Sequence, residues 1–235
     1  KVSMAVYFQK FRLPTKDVRE KKHESEHQAG LCLLKEALFR EYQLCGINME
    51  SELSADSQGK PYLTNYPQIY FNISHGKEMV VCGVDYAPLG VDVEAVRPVK
   101  PTLFRRVLTE KELHYLEMIR ESDGENAWYR EFFRLWTLKE SYAKAVGKGL
   151  ALDFTCLEFV LEVWEEEPKK GFFMQGNEPF FLMREVRGSL DGEDEQWRFF
   201  QTIIEGEYVV SCCLSCRGSC GGERGAGILG VAGFL

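Results

Sequence analysis

Apolar residues along this chain recur at two spacings, one typical of helices and one typical of strands. Between residues 17 and 45 the spacing is helical, and Gly46 follows as a stop signal. The apolar positions of this segment are Leu31, Leu34, Leu38 and Tyr42. The pattern predicts one long helix, preceded by a short strand from Met4 to Phe8.

The later patterns favour extended chain, interrupted by one long helical region. IYFNISHGKEMVVCGV predicts two strands folded about residues 75–78, and LGVDVEAV predicts a strand that ends at Arg97 and Pro98. Helical spacing returns over residues 109–120 and 125–146. Two further strands are expected in FTCLEFVLEVW and EPFFLMREV, and a second hairpin in WRFFQTIIEGEYVVSCCLS.

The order of strand, helix and hairpin therefore occurs twice. It predicts an α+β fold of two similar halves related by pseudo-two-fold symmetry, each with a long helix packed on a small, mostly antiparallel sheet. We expect the halves at residues 1–88 and 89–216, with a flexible Gly-rich C-terminal extension at 217–235. A ligand cleft is expected between the halves.

Composition narrows the class of protein. The chain is 45% hydrophobic with a net charge of −7, which argues against broad binding to nucleic acid or anionic membrane. No secretory signal and no membrane-spanning run is visible, so we expect a cytoplasmic protein. Four of the eight cysteines cluster in SCCLSCRGSC, but their spacing differs from that of paired zinc motifs and favours reduced thiols.

Two acidic side chains stand on one predicted strand. Asp92 and Glu94 in GVDVEAV are two positions apart, so both carboxylates project from the same face. Their mutual repulsion would be relieved by Mg²⁺, which takes oxygen ligands and often binds through one or two carboxylates together with phosphates. The alternative is an edge strand with a solvated acidic face.

Two loops carry groups suited to phosphate. Ser74 and His75 lie at the predicted turn of the first hairpin, where the hydroxyl, the ring and backbone amides could bind an anion. Lys60 lies between Gly59 and Pro61 in a restricted loop. Simple solvent exposure is the alternative for each.

The stretch WTLKESYAKAVGKGL places charges on a helix. Glu140 and Lys144 share one face, while Lys139 is turned roughly 100° from Glu140. A surface Glu–Lys pair worth about 0.2–0.5 kcal/mol would explain the spacing. It would not explain why Trp136 and a Gly-Lys-Gly end frame the pair.

In combination, GKP, FNISH, GVDVE and WTLKESYAKAVGKGL resemble the motifs of the surfactin-synthetase type of 4′-phosphopantetheinyl transferases, in the same order and spacing. The shorter, trimeric holo-acyl-carrier-protein synthases share the acidic motifs, but this chain is about twice their usual length, which favours a two-half monomer. The resemblance implies that coenzyme A and Mg²⁺, or Mn²⁺, bind between the halves. It implies transfer of the phosphopantetheine arm to a serine of an apo carrier protein, with release of adenosine 3′,5′-bisphosphate.

The resemblance also implies roles for acidic residues. Asp92, Glu94 and Glu140 would be the metal ligands. Glu140 would act as general base toward the carrier serine, directly or through a metal-bound water. Both routes stay open at this point.

Basic and polar residues would hold the coenzyme. By the resemblance, Lys60 would face the 3′-phosphate, and Ser74 and His75 would contact phosphates. Lys144 would lie near the pyrophosphate, where it stabilises developing charge, with Lys139 as a neighbour.

The carrier protein is expected to contact the segment after the acidic strand. Leu103, Phe104, Arg105 and Arg106 offer apolar and basic groups to an acidic partner, although an ordinary amphipathic helix entrance is the alternative. Fatty-acid, polyketide and nonribosomal-peptide carriers all remain candidates.

Two departures from the family pattern are visible. Gly76 and Lys77 follow His75 where the family commonly has Ser-Gly, and Gln28 replaces an arginine of the first helix, for which Arg19, Lys21 or Lys22 could substitute. Two other functions stay open: a noncatalytic module that binds coenzyme A or a carrier protein, and a Mg²⁺-dependent phosphohydrolase.

Overall fold

A computed structural model describes residues 4–11, 19–161, 180–190, 197–216 and 229–234. Its α-helices are α1 (Arg19–Tyr42), α2 (Met49–Glu52), α3 (Phe104–Val107) and α4 (Glu110–Val146). Short 3₁₀ helices lie at Pro101–Leu103, Gly149–Ala151 and Phe154–Cys156. Within these ranges, no helix combines the length and apolar character that crossing a membrane requires.

Eleven strands complete the described fold: β1 (Ala5–Lys10), β2 (Leu53–Ala55), β3 (Pro61–Leu63), β4 (Tyr70–Gly76), β5 (Met79–Asp85), β6 (Leu89–Ala95), β7 (Leu157–Val160), β8 (Phe180–Leu190), β9 (Trp197–Ile204), β10 (Tyr208–Ser215) and β11 (Leu229–Phe234). Nine form one sheet in the order β4-β5-β1-β11-β8-β9-β10-β6, with β7 paired to β8. β2 and β3 form a separate ribbon.

The same connectivity occurs twice, and the predicted α+β fold is confirmed. β1, α1 and the β4–β5 hairpin are followed by β6, α4 and the β9–β10 hairpin. In the first set, β5 pairs antiparallel with both β1 and β4. In the second set, β10 pairs antiparallel with both β6 and β9. The pseudo-two-fold symmetry and the exact half boundaries stay predictions.

The C-terminal segment contributes to the sheet. β11 pairs parallel with β1 and antiparallel with β8. Residues 229–234 are therefore a sheet strand, which corrects the expectation of a flexible extension for this part of residues 217–235. Residues 217–228 lie outside the described residues.

Strand alternation separates the apolar core into layers. On β6, Leu89, Val91 and Val93 enter a central cluster between the two sets of strands, where Met79 and Val81 of β5 also lie. The intervening positions of β6 face α4, as the period of two requires. Asp92 and Glu94 consequently lie on the side of the helix, and the predicted shared face is observed.

α4 has well-defined boundaries and one interruption. Thr109 caps its N-terminus and forms a capping box with Glu112, and Gly147 ends it with a left-handed φ of 74°. Gly124 has φ 83° and ψ −176°, so helical geometry breaks there. This break confirms the predicted division between two helical segments.

Gly90 allows α4 to approach β6 closely. A β-carbon at this position would lie 2.0 Å from the Ser141 carbonyl oxygen and 2.5 Å from the Ala145 nitrogen. Both neighbours are helix backbone, which cannot move aside as a flexible side chain can. The glycine therefore sets the distance between the helix and the acidic strand.

Gly90→Ala is expected to lower the free energy of unfolding by about 1–3 kcal/mol, because the methyl group would force α4 away from β6. Gly30→Ala in α1 is the matched control. The three atoms nearest its β-carbon would be side-chain methyl groups of Ile73 and Val80, the closest at 3.0 Å, rather than backbone; alanine also favours helix. Urea unfolding monitored by circular dichroism measures both; equal effects would contradict the backbone clash.

Candidate active site

Strands β4 and β6, which lie at opposite ends of the sheet order, meet at the candidate site. Asn72 Oδ1 accepts a hydrogen bond of 2.8 Å from the Val91 backbone nitrogen. The Ser74 hydroxyl accepts a longer one, 3.4 Å, from the nitrogen of Val93. Side chains of FNIS thus replace strand-to-strand backbone pairing. Sequence reasoning missed Asn72; its position two residues before Ser74, on the same strand face, was the available signal.

A partly buried ion pair joins α4 to β6. Lys144 Nζ lies 2.6 Å from Asp92 Oδ1 and 2.7 Å from Ser74 Oγ. Ser74, only 4% exposed, donates its proton to Asp92 Oδ1 over 2.9 Å. Ser74 therefore holds Asp92 in place, and its contact with a phosphate stays a prediction.

Two further carboxylates, those of Glu94 and Glu140, lie near this pair. Burial, together with repulsion from Asp92 and Glu94 and against the opposing effect of Lys144, raises the pKa of Glu140 from 4.5 to about 7. Burial also raises the pKa of Glu94, against the opposing effect of Arg97, which donates to Glu94 Oε2 over 2.6 Å. The predicted acidic residues therefore share one electrostatic environment.

The donor set fits a divalent cation. Asp92 Oδ2 is buried and has no hydrogen-bond partner among the described residues. An unpaired carboxylate oxygen beside two carboxylates with raised pKa values is suited to a cation that takes oxygen ligands. In the described part of the chain, no three His, Cys, Asp or Glu side chains are already arranged as a metal cage. Lys144 and Arg97 instead neutralise two of the carboxylates.

His75 lies near the end of β4, where Lys144 and Glu26 influence its ring. Desolvation by surrounding protein lowers the pKa of its ring, although part of the ring is exposed; Glu26 raises the pKa and Lys144 lowers it. Glu26 belongs to α1, so this helix borders the site. The side chains of Arg19, Lys21 and Lys22 lie outside the described residues.

Lys60 connects the GKP loop to the end of α4. Its Nζ donates to the Ala145 carbonyl over 2.7 Å and approaches the Leu89 carbonyl at 3.5 Å. Two acceptors leave one ammonium proton for an anion. Burial lowers the pKa of Lys60. The side chain also borders a cavity of about 290 Å³, together with Tyr62, Tyr70, Phe71, Pro88 and Gly147.

Lys139 does not reach the candidate site. It is 0% exposed, and its ammonium donates to the carbonyls of Val107, Phe154 and Leu157 at 2.8, 3.0 and 2.8 Å. It also pairs with Glu112. These contacts correct the prediction that Lys139 neighbours the coenzyme, because its charge is used to join α4 to α3 and β7.

The two residues after His75, where the sequence departs from the family pattern, serve packing and pairing between strands. Lys77 has φ 55° and its ammonium pairs with Glu207 in the β9–β10 turn. A β-carbon on Gly76 would lie 2.5 Å from the Val93 carbonyl oxygen. The serine common in the family would therefore clash here, and glycine allows β4 to lie against β6.

The predicted carrier-binding segment is only partly accessible. Arg105 and Arg106 are exposed, and Leu103 is half-buried. Phe104 is 3% exposed and belongs to the core. Its ring packs against two aromatic side chains of α4, Trp128 and Phe132. Phe104 is thus excluded from the partner surface, which corrects that part of the prediction.

Comparison with known proteins places this arrangement in a family. A strand–helix–hairpin unit with carboxylates and a lysine on facing elements lies within residues 88–213, which match the model of the 4′-phosphopantetheinyl transferase superfamily. This match covers more than half of the chain. The chain belongs to the 4′-phosphopantetheinyl transferase superfamily.

Curated relatives agree with this assignment. The chain is 33% identical over 123 residues to the 4′-phosphopantetheinyl transferase Sfp of Bacillus subtilis, covering 52% of each protein. It is 36% identical over 121 residues to the transferase gsp of Aneurinibacillus migulanus, covering 50% of this chain and 48% of that protein. It is 31% identical over 176 residues to the human L-aminoadipate-semialdehyde dehydrogenase-phosphopantetheinyl transferase, covering 69% of this chain and 52% of that protein. The chain spans about half the length of the curated relatives it matches.

Glu140→Gln is expected to raise the free energy of unfolding more at about pH 8 than at about pH 5 in the presence of EDTA. Because the pKa of folded Glu140 is raised from 4.5 to about 7, the folded chain binds the proton more tightly than the unfolded chain. The destabilisation is absent below the unfolded pKa and complete above the folded one. Glutamine carries no charge, so the variant lacks this destabilisation at high pH.

Urea unfolding at both pH values measures the effect. Glu24→Gln, an exposed position of α1, is the matched control. A Glu140→Gln effect that is the same at both pH values would contradict the raised pKa.

Proposed function

We propose that the chain transfers the 4′-phosphopantetheine arm of coenzyme A to a serine of an apo carrier protein. The observation that carries this proposal is the Lys144–Asp92–Ser74 contact beneath Glu140, at the junction of the two halves. It brings positive charge, carboxylate oxygens and a group with a pKa near neutrality to one place. Phosphoryl transfer needs these elements in proximity.

Asp92, Glu94 and Glu140 would hold Mg²⁺, or Mn²⁺, through their carboxylate oxygens. When bound, the ion supplies neutralisation of the charge that develops on phosphate oxygens. Asp92 Oδ2, which has no hydrogen-bond partner among the residues described, supports this assignment. So does the repulsion among the three carboxylates, which a cation would relieve.

Lys144, Lys60 and His75 would bind the phosphates of the coenzyme. Lys144 has two protein acceptors, Ser74 and Asp92, so one of its ammonium protons remains for the pyrophosphate. Lys60 has a proton available in the same way and would face the 3′-phosphate. His75 is partly exposed at the mouth of the site.

The carrier serine oxygen attacks the β-phosphorus of the coenzyme. The bond from that phosphorus to the oxygen bridging the α-phosphate breaks, and adenosine 3′,5′-bisphosphate leaves with the bond electrons. Glu140 would accept the serine proton, directly or through a water molecule, since it is the carboxylate next to Lys144 and the acidic strand. Lys144 stabilises charge on the phosphate oxygens throughout.

The carrier protein would bind beside α3. Arg105 and Arg106 are exposed there, and an acidic carrier would be attracted to them although the chain as a whole is acidic. We propose that the protein acts as a monomer in the cytoplasm. The cysteines of the described segments are free thiols, which suits a reducing compartment.

Intact-protein mass spectrometry of an apo carrier protein, incubated with the chain, coenzyme A and Mg²⁺, tests the proposal. The carrier is expected to gain the mass of one phosphopantetheine arm. EDTA and Glu140→Gln are expected to abolish the gain, because each removes part of the acidic site.

Two results would contradict the transferase. Coenzyme A binding without any mass gain, across fatty-acid, polyketide and peptide carriers, would indicate a binding module. Adenosine 3′,5′-bisphosphate released without a carrier protein would indicate a phosphohydrolase.

Arg105→Glu combined with Arg106→Glu is expected to raise the KM for the carrier about tenfold at low salt while leaving kcat within about twofold. Reversing two charges weakens attraction to an acidic partner without touching the reacting groups. Steady-state kinetics at two ionic strengths measures the effect. Lys35→Glu with Arg187→Glu, the same change of charge at exposed positions of α1 and β8, is the control; an equal rise in KM there would refute a local docking site.

A further inference from the structure

A chain of buried polar side chains crosses the apolar contact between α4 and the sheet. Arg134 Nε donates to Gln201 Oε1 over 2.9 Å, and Gln201 Nε2 lies 2.8 Å from Ser211 Oγ. Ser211 Oγ lies 2.7 Å from Thr137 Oγ1, which in turn lies 2.8 Å from the Phe133 carbonyl oxygen. All four polar side chains are at most 1% exposed.

Each hydrogen bond in this series of side chains has a defined donor and a defined acceptor. Arginine has no acceptor, so the oxygen of the Gln201 amide must face Arg134 and its nitrogen must face Ser211. The Phe133 carbonyl can only accept, so Thr137 donates to it and must itself accept from Ser211. The donors run from the guanidinium to the helix backbone without a break.

This series of hydrogen-bonded side chains lies directly beside the candidate site. Gln201 of β9 pairs in register with Ser211 of β10, and Ser211 pairs in register with Asp92 of β6. These three side chains therefore occupy one row across the sheet, on the face that α4 covers. On α4, Thr137 lies about one turn before Glu140. The row of side chains that contacts α4 through Thr137 therefore also includes Asp92, which lies near Glu140.

We propose that Thr137, Ser211 and Gln201 are positioning residues, which fix the register of α4 over β6 and thereby the placement of Glu140 against Asp92. The role toward the metal rests on the proposed function. Apolar contacts are not directional, so they specify the rotation of a helix less strictly than hydrogen bonds do. Hydrogen bonds between buried side chains are directional, so a slide of α4 would separate donors from their acceptors.

The test compares three single variants. Thr137→Val keeps the shape of the side chain and removes the acceptor for Ser211. Thr137→Ser keeps the hydroxyl and serves as conservative rescue. Thr202→Val is the matched control: Thr202 follows Gln201 on the opposite face of β9, is 0% exposed, and its hydroxyl has no partner among the described residues.

Mn²⁺ affinity in the presence of coenzyme A, measured by isothermal titration calorimetry below the unfolding temperature of each variant, is the readout. Thr137→Val is expected to weaken Mn²⁺ binding about tenfold, as loss of a ligand-orienting contact does, with Thr137→Ser and Thr202→Val within about twofold of the wild type. A purely structural role would lower the melting temperature and leave the affinity of the folded molecules unchanged. That result would overturn the proposal.

If the wild-type chain binds neither coenzyme A nor Mn²⁺, the proposed function fails, and crystal structures of the variants then decide the positioning role. Thr137→Val is expected to change the distance from Lys144 Nζ to Asp92 Oδ1 by about 1 Å or more, a displacement large enough to impair a site of this kind. An unchanged distance would overturn the proposal independently of any activity. Thr202→Val is expected to leave the distance as it is.

Discussion

The candidate site depends on the close contact between α4 and β6, which Gly90 allows. At that position the helix backbone occupies the volume where any other residue would carry its β-carbon. The approach brings Lys144 within 2.6 Å of Asp92 and sets Glu140 above the acidic strand. A helix displaced by one side-chain layer would separate these groups, and their electrostatic coupling would fall as water entered between them. The chemistry of the site therefore requires the close packing of the α4 backbone on β6.

The charged side chains that this contact brings together have opposing effects on stability. Three carboxylates share a partly buried space, and the raised pKa values of Glu94 and Glu140 express the resulting cost. Lys144 offsets part of it by binding Asp92, and Arg97 does so at Glu94. One oxygen of Asp92 still has no hydrogen-bond partner within the described chain. An arrangement that is only partly neutralised internally gains most when a cation binds.

Sequence patterns predicted the main elements well, because they depend on local periodicity. The alternation in LGVDVEAV placed Asp92 and Glu94 on one face of β6, and the helical spacing of WTLKESYAKAVGKGL placed Glu140 and Lys144 together. Contacts between distant segments were not predictable in this way. The link from Asn72 to β6, the burial of Phe104 and the pairing of β11 with β1 depend on tertiary packing. Nothing in the glycine-rich composition of the tail indicates which strand it would pair with.

The two lysines of α4 show how helix rotation assigns function. Lys139 and Lys144 are five residues apart, so they project about 140° from each other around the axis. One ammonium lies within the protein and joins α4 to the carbonyls of α3 and β7, while the other lies beside Asp92 at the edge of the site. Adjacent Glu140 is directed toward the site only because Lys139 is directed away from it. The rotation of this single helix thus decides which charge is structural and which is available to a ligand, and the polar chain through Thr137 and Ser211 acts on that rotation.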